Sequence, residues 1–384
     1  MKVLHTGSLD VRSGGPAMST YLTLLGLQEQ GIDAEIVMYE MSEGGQLRGE
    51  EAKVHFAHRP LENKMLYSPM LAKEIRALGM YDVYHAQGVW QWPTYVLASV
   101  ARKEGKPYVI TPRGMLYPQD IAKSNKLLKQ LSLSLRLKSD LNRAACVQCT
   151  CEEEMMHLRN LGVTSPLALI ANPVVIKQHE YKKEDNVFRV GYLGRVSPRK
   201  KVERLIRAFA ALGDGAKNAE LLIIGNTNDS YERQLQTEAR QLGVTNVRFA
   251  GFLSGEEKDK AIASMSVLVN PSDFENFGNV ILEGLVHRIP CIATTGSPWK
   301  ELQTYRCGWW IEPSQEAITE TIRQAMVTSQ KELGEMGERG LKLVTENYSV
   351  EAIAKKTKAM YQWILSKNDK PDFISVLMDS VNQS

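Results

Sequence analysis

Apolar residues gather in short runs separated by longer amphipathic stretches, and this alternation occurs in two successive halves of the chain. In the first half, residues 3–6 read as a buried strand, 13–16 as a glycine-containing loop, 17–30 as a helix stopped at Gly31, and 34–39 as the next strand. Further units follow the same rhythm, with strands at 83–85 and 108–110, a helix at 93–103, and a turn at Thr111-Pro112-Arg113-Gly114. The rhythm breaks at Asn172-Pro173, and the charged stretch 177–185 reads as a linker. It resumes with strands at 188–193, 221–224, 247–249, 266–269, 290–294 and 308–311, between which lie helices at 202–212, 231–242 and 256–264. Strands alternating with helices predict an α/β chain with two doubly wound, Rossmann-like parallel sheets, in which ligands bind beyond the carboxyl ends of the strands. Near the end, residues 349–365 form an amphipathic helix opened by a Ser349 cap, with Ile353, Met360, Tyr361 and Ile364 as its buried face.

Composition narrows the class without naming the chemistry. The 384 residues suffice for two domains, and a formal charge of +3 over that length gives no reason to expect nucleic acid as a partner. The chain opens on a strand with no charged segment leading into a long apolar stretch, so no signal peptide is expected. No run reaches the length of a transmembrane helix, and an odd count of five cysteines does not suggest a secreted disulfide framework. The expectation is therefore a cytoplasmic enzyme. Cys146, Cys149 and Cys151 are spaced closely enough to raise the question of a metal, but structural zinc wants four ligands and 144–147 reads as a buried strand, so no metal is expected.

Two segments of the second half carry the candidate chemistry. In Pro271 to Glu283, PSDFENFGNVILE, a buried strand leads to a helix start at Phe277-Gly278-Asn279, bracketed by Glu275 and Glu283. The first N–H groups of a helix lack intrahelical partners and the helix dipole favours an anion there, so a diphosphate fits between the two carboxylates. One carboxylate is then placed to accept sugar hydroxyls and the other ribose hydroxyls. The loop Gly194 to Lys200, GRVSPRK, is cationic and follows a strand, which suits Arg195 and Lys200 to stabilising a departing diphosphate. In the first half, the Gly14-Gly15-Pro16 loop permits close backbone approach to a ligand, with a tight turn before the helix as the plain alternative.

Together these strings resemble family four of the retaining glycosyltransferases, which have the GT-B fold. The resemblance rests on P-S-x-x-E-x-F-G-x-x-x-x-E, on G-R-x-x-x-x-K, on Asp82 to Gly88 (DVYHAQG), and on the Asn172-Pro173-Val174 turn. It implies two domains facing across a cleft, an acceptor domain of 1–172 plus about 361–384, and a donor domain of 173–360. It implies Arg195, Lys200 and Glu275 as catalytic residues, and Gly15, Phe277, Gly278, Asn279, Glu283 and Phe252 as donor contacts. His85, Gln87 and Arg113 are candidate sugar or acceptor contacts. The implied reaction is retaining transfer from a nucleoside-diphosphate sugar, UDP ahead of GDP, to a saccharide or lipid-linked saccharide in surface polysaccharide assembly, with no cofactor or obligatory metal. Three positions depart from the family pattern: Lys201 stands where Gly is usual, Gln87 where a second His is usual, and Arg113 where His is frequent. Gln has no proton to take at neutral pH, which argues against general-base duty at 87.

Two alternatives stay open at this point. A sugar-nucleotide epimerase shares the architecture, and a binding protein that has lost turnover would retain the donor motifs. Residues 121–143 interleave Lys123, Lys126, Lys129, Arg136, Lys138 and Arg143 with leucines, as expected either of a helix lying on an anionic membrane surface or of one packed on the sheet through its leucines. The former would make the enzyme peripheral on the inner face of the membrane.

Overall fold

The computed structural model describes all residues except 42–44, 48, 50, 59–64, 123–124, 178–180, 182–184, 227, 367–368 and 378–384. Lys123, most of the linker and the last residues of the tail thus lie outside the described residues. The chain divides into two compact units, Met1–Val175 with Ser349–Ser384, and Ile176–Tyr348. The return to the first unit comes at Ser349, earlier than residue 361, because the whole helix Val350–Ser366 packs on the first unit's core through Ile353, Met360, Tyr361 and Ile364. Its start is fixed by Ser349, whose Oγ accepts the Ala352 N–H at 3.2 Å.

The first unit is built on β1 (Lys2–Thr6), β2 (Asp33–Tyr39), β3 (Lys53–Ala57), β4 (Val83–Gln87), β5 (Tyr108–Thr111), β6 (Cys146–Cys149) and β7 (Leu167–Leu169). The second contains β8 (Phe188–Leu193), β9 (Ala219–Ile224), β10 (Val247–Gly251), β11 (Val267–Asn270), β12 (Cys291–Thr294) and β13 (Gly308–Ile311), and β14 (Ile374–Ser375) returns to the first. The first sheet runs β14-β7-β6-β5-β4-β1-β2-β3, parallel except for β14, and the second runs β10-β9-β8-β11-β12-β13 in parallel throughout. Parallel strands are covered on both faces, which is why they read as unbroken apolar runs. Cys146 and Cys149 belong to such a run: both thiols are fully buried in β6.

Strand order locates the ligand-binding ends. In the first sheet β1 lies between β2 and β4, so the order reverses there, and in the second β8 lies between β9 and β11. Crevices open where connections leave a sheet in opposite directions, here beyond Thr6 and Gln87 in one unit and beyond Leu193 and Asn270 in the other.

The basic segment is not one helix. Pro118–Ala122 is separate from a second, continuous helical run made of Lys126–Ser132, a π-helical turn Leu133–Leu137, and Lys138–Asn142, with Asn125 before it left-handed at φ 50°. Leu137 and Leu141 are fully buried, whereas Leu127, Leu128, Leu131 and Leu135 face outward, Leu127 being 81% exposed. The leucines of this segment thus divide between the core and the surface, on different turns. Among the described residues, no helix is long and apolar enough to cross a membrane.

Candidate functional site

In the second unit, the loops after β8 and β11 meet. Gly194 leaves β8 against β9, where a Cβ on Gly225 would lie 1.7 Å from the Gly194 carbonyl oxygen; only glycine permits this approach. Arg195 follows, its carbonyl accepting the Tyr192 hydroxyl at 2.9 Å and its side chain exposed. A 3-10 turn, Pro198–Lys200, ends on Lys201, which adopts the left-handed conformation at φ 56°. The position where the resembling family has glycine thus adopts a conformation that favours glycine, with a lysine in it. Such a conformation costs a side-chain-bearing residue roughly 1 kcal/mol. The helix Val202–Ala210 then begins, and Arg204 ties the two loops by an ion pair to Asp273 at 2.6 Å and a bond to the Pro271 carbonyl at 3.1 Å.

The expected pair of carboxylates is in place, and each is held by a cation. Glu275 pairs with Lys200, accepts the Ser272 hydroxyl at 2.8 Å, and donates its backbone N–H to the Gly296 carbonyl at 2.7 Å. Lys200 therefore meets Glu275 directly, so the residues expected as leaving-group cation and sugar-binding carboxylate form a single ion pair. Glu283 pairs with Lys258 at 2.6 Å. Lys258 was missed in the sequence because it comes from the separate helix Gly255–Ala263, and no local spacing connects it to the motif.

Between the carboxylates the helix Asn279–Val286 starts on Gly278 in the left-handed region at φ 84°. A Cβ there would come within 3.3 Å of Trp299 Nε1. The Phe277 side chain is buried against Trp299 and Tyr348, with ring centroids 5.3 and 6.0 Å away, which leaves its backbone as the part expected to meet a donor. Trp299 donates from Nε1 to the Phe277 carbonyl at 2.6 Å and so fixes the entry to the helix. At the end of β11, Asn270 is 3% exposed and its Nδ2 lacks a hydrogen-bond partner, a buried donor 3.6 Å from where a Gly278 Cβ would stand. Phe252, after β10, is 64% exposed.

In the first unit, the helix starts at Gly14 and includes Gly15 in its first turn, where a loop through Pro16 was expected. Beyond the ends of β1, β2, β4 and β5 lies a cavity of about 680 Å³ lined by Gly7, Thr20, Tyr39, Gln87, Arg113 and Met115 among others. His85 takes no part in it. It is fully buried, with Nδ1 2.6 Å from the Tyr361 hydroxyl and Nε2 2.7 Å from Thr111 Oγ1, which corrects its candidacy as a ligand contact. Burial holds His85 well below the ordinary histidine pKa, and holds His5 down to about 3. Gln87 does reach the cavity. Its Nε2 lies 3.2 Å from His5 Nδ1, and its Oε1 accepts from Arg113 Nε at 3.1 Å and Nη2 at 2.7 Å.

The two units match two known families. "Glycosyl transferase 4-like domain" matches residues 14–173, and "Glycosyl transferases group 1" matches residues 176–343. The chain is a glycosyltransferase of the GT-B fold. This glycosyltransferase is 25% identical to an uncharacterized glycosyltransferase of Methanocaldococcus jannaschii, over 91% of this chain and 94% of that one. It is 26% identical to the capsular polysaccharide biosynthesis glycosyltransferase CapM of Staphylococcus aureus, over 50% and 51% of the two chains. Among solved structures, Anabaena HepE in complex with UDP and glucose aligns over 94% of this chain and 99% of its own, at a TM-score of 0.74 and 17% identity. WaaG, a glycosyltransferase involved in lipopolysaccharide biosynthesis, aligns over 95% and 100% at a TM-score of 0.65 and 16% identity.

Proposed function

We propose that this glycosyltransferase moves a sugar, with retention of configuration, from a nucleoside-diphosphate sugar to a saccharide or lipid-linked saccharide in surface polysaccharide assembly. The observation that carries the reading is the pair of cation-held carboxylates, Lys200–Glu275 and Lys258–Glu283, on either side of the helix start at Gly278. In this reading the diphosphate rests on the backbone amides of the helix start, Glu283 takes the ribose, Glu275 a hydroxyl of the transferred sugar, and Lys200 with Arg195 the charge that develops on the departing phosphate. Phe252 borders the base. No cofactor or metal enters the scheme. UDP is placed ahead of GDP, in keeping with HepE, whose structures hold UDP, UDP-glucose, or UDP and glucose. GDP is the competing base, since mycobacterial GDP-mannose-dependent mannosyltransferases share 31–36% identity over about a third of this chain. Transfer, rather than epimerisation or binding alone, agrees with the glycosyltransferase relatives.

Thermal shift with UDP- and GDP-sugars tests the donor, and the anomeric configuration of the product, read by NMR, tests retention. Stabilisation by UDP-sugars and product of the donor's own configuration are expected. Indifference to every sugar nucleotide, or an inverted product, overturns the reading.

The outward leucines support a peripheral membrane partner for the acceptor side. Leu127, Leu128, Leu131 and Leu135 are exposed beside Lys126 and Lys138, a composition complementary to an anionic bilayer. Arg136 is excluded from that set: it pairs with Asp140 at 3.6 Å and lies over the Tyr95 ring at 4.9 Å. Co-sedimentation with phosphatidylglycerol vesicles is expected, and is lost on replacing Leu127, Leu131 and Leu135 with glutamate. Sedimentation unaffected by those changes removes the assignment.

A further inference from the structure

Arg113 is a cation that makes no ion pair among the described residues, placed on the wall of the first unit's cavity. Its N–H groups end on neutral oxygens only: Gln87 Oε1 as described, Ser19 Oγ at 3.1 Å, Asn172 Oδ1 at 2.9 Å and Thr20 Oγ1 at 3.3 Å. Glu154 is its nearest electrostatic partner, but that carboxylate is occupied by the Gly114 and Thr150 amides and the Thr150 hydroxyl, and makes no ion pair with Arg113. The chain treats its other enclosed arginines differently. Arg102 pairs with Asp140 at 2.6 Å, and Arg189 with Glu220 at 2.6 Å and Asp185 at 2.9 Å. Arg159 is spent on three backbone carbonyls, those of Val163, Ser165 and Ser375.

An enclosed cation without an anion is costly, and the cost is recovered when a ligand supplies the charge. Burial lowers the Arg113 pKa only to about 10, so it remains charged at neutral pH. The two bonds to Gln87 Oε1 hold the plane of the guanidinium in place. Of the two Nη2 N–H groups, one is held by Gln87 at 2.7 Å and the other only weakly, by Thr20 at 3.3 Å, and Thr20 also lines the cavity. An oxyanion entering there replaces a poor hydroxyl acceptor with a charged one, while Gln87 keeps the guanidinium aligned.

We propose that Arg113 reads an oxyanion on the acceptor, the carboxylate of an acidic sugar or a phosphate attached to the sugar, in the first unit's cavity. This rests on the glycosyltransferase reading above and deepens it by naming the acceptor's charge. A charge-assisted bond of this kind corresponds to about a 10- to 100-fold preference over a neutral analogue.

Calorimetric titration of the full chain separates the two readings. UDP and GDP are titrated first, to establish that nucleotide binds. With nucleotide saturating, methyl glucuronide, glucose 1-phosphate and neutral methyl glucoside are then compared. At least one anion binding tenfold or more tightly than methyl glucoside is expected, and the stronger of the two identifies carboxylate or phosphate as its source. In Arg113→Gln that preference collapses to within twofold, and Arg113→Lys, which keeps the charge but not the fork, retains part of it. A circular-dichroism melt of each variant establishes that it is folded, and the wild-type comparison stands by itself if Arg113→Gln does not fold. Nucleotide binding with no anion preference, or a preference that survives in folded Arg113→Gln, overturns the inference and leaves the donor reading intact. Failure of both nucleotides to bind overturns the donor reading instead.

Discussion

Replacing Glu283 with glutamine is expected to remove most of the nucleotide's stabilising effect while leaving the free protein nearly as stable as before. In the free protein Glu283 has a single ionic partner, Lys258 at 2.6 Å, with both side chains nearly a third exposed. A pair so open to solvent contributes less than about 1 kcal/mol, so the melting point without ligand moves little. With ligand, the loss is larger. Each hydrogen bond to a charged acceptor is worth about 1.5–3 kcal/mol, so two ribose hydroxyls on Glu283 carry at least about 3 kcal/mol, or roughly 150-fold in affinity. At a nucleotide concentration about 100 times Kd the wild type gains about 2.7 kcal/mol, and a site weakened about 150-fold gains only about 0.3. In a unit of this size about 1 kcal/mol moves Tm by about 2–4 °C, so a shift of about 8 °C falls to about 1 °C. Differential scanning fluorimetry with and without nucleotide reads both quantities. A Glu283→Gln protein that keeps more than half of the wild-type shift refutes the assignment of Glu283 to the ribose.

Lys200→Met is expected to lower kcat about 100-fold or more while changing nucleotide affinity by less than tenfold, as measured by initial rates and titration; an affinity loss with unchanged kcat refutes its role at the departing phosphate. Gly278→Ala places a Cβ 3.3 Å from Trp299 Nε1 at φ 84°, and is expected to cost roughly 1–2 kcal/mol, read as a lower Tm of the second unit; an unchanged Tm refutes it. Acid weakens the first unit through its histidines. His5 is held at about 3 against an ordinary 6.5, so between those values the unfolded chain binds a proton that the folded one refuses, and stability falls as pH falls. From pH 6.5 to 4.5 the loss from His5 is roughly 2–3 kcal/mol, and the buried His85 acts in the same direction. Melts at the two pH values are expected to diverge less in His5→Gln than in the wild type, and equal divergence refutes the assignment.

The order of strands and helices was legible because parallel strands covered on both faces leave continuous apolar runs. Strand ends were therefore legible too, and with them the loops that carry Arg195, Lys200, Glu275 and Glu283. What sequence spacing did not reveal were the partners that arrive from elsewhere in the fold: Lys258 from its own helix, Trp299 from the turn after β12, and Tyr361 from a helix that crosses back to the first unit. The basic segment 121–143 was misread as one helix for a related reason. Its leucines serve two surfaces, and the turn through Asn125 and the π-helical stretch that reconcile them have no periodic signature.

The departures at 87 and 113 are one structural event. Had position 87 carried the usual histidine, its ring would offer Arg113 at most one acceptor nitrogen, and only when neutral. Glutamine offers a carbonyl oxygen that takes two guanidinium N–H groups, and its amide nitrogen stays free to face His5. That donor makes Nδ1 of neutral His5 the acceptor, so the His5 proton sits on Nε2, 3.3 Å from the Tyr361 hydroxyl. Tyr361 is then free to donate to His85 Nδ1, and His85 from Nε2 to Thr111. A chain of neutral groups thus runs from Arg113 into the core, with every member's role as donor or acceptor set by the one before it. Such a chain disperses the cation's field without neutralising it. The pair of departures therefore takes position 87 away from proton transfer and places a positive charge on the cavity wall, where the oxyanion proposed above would meet it.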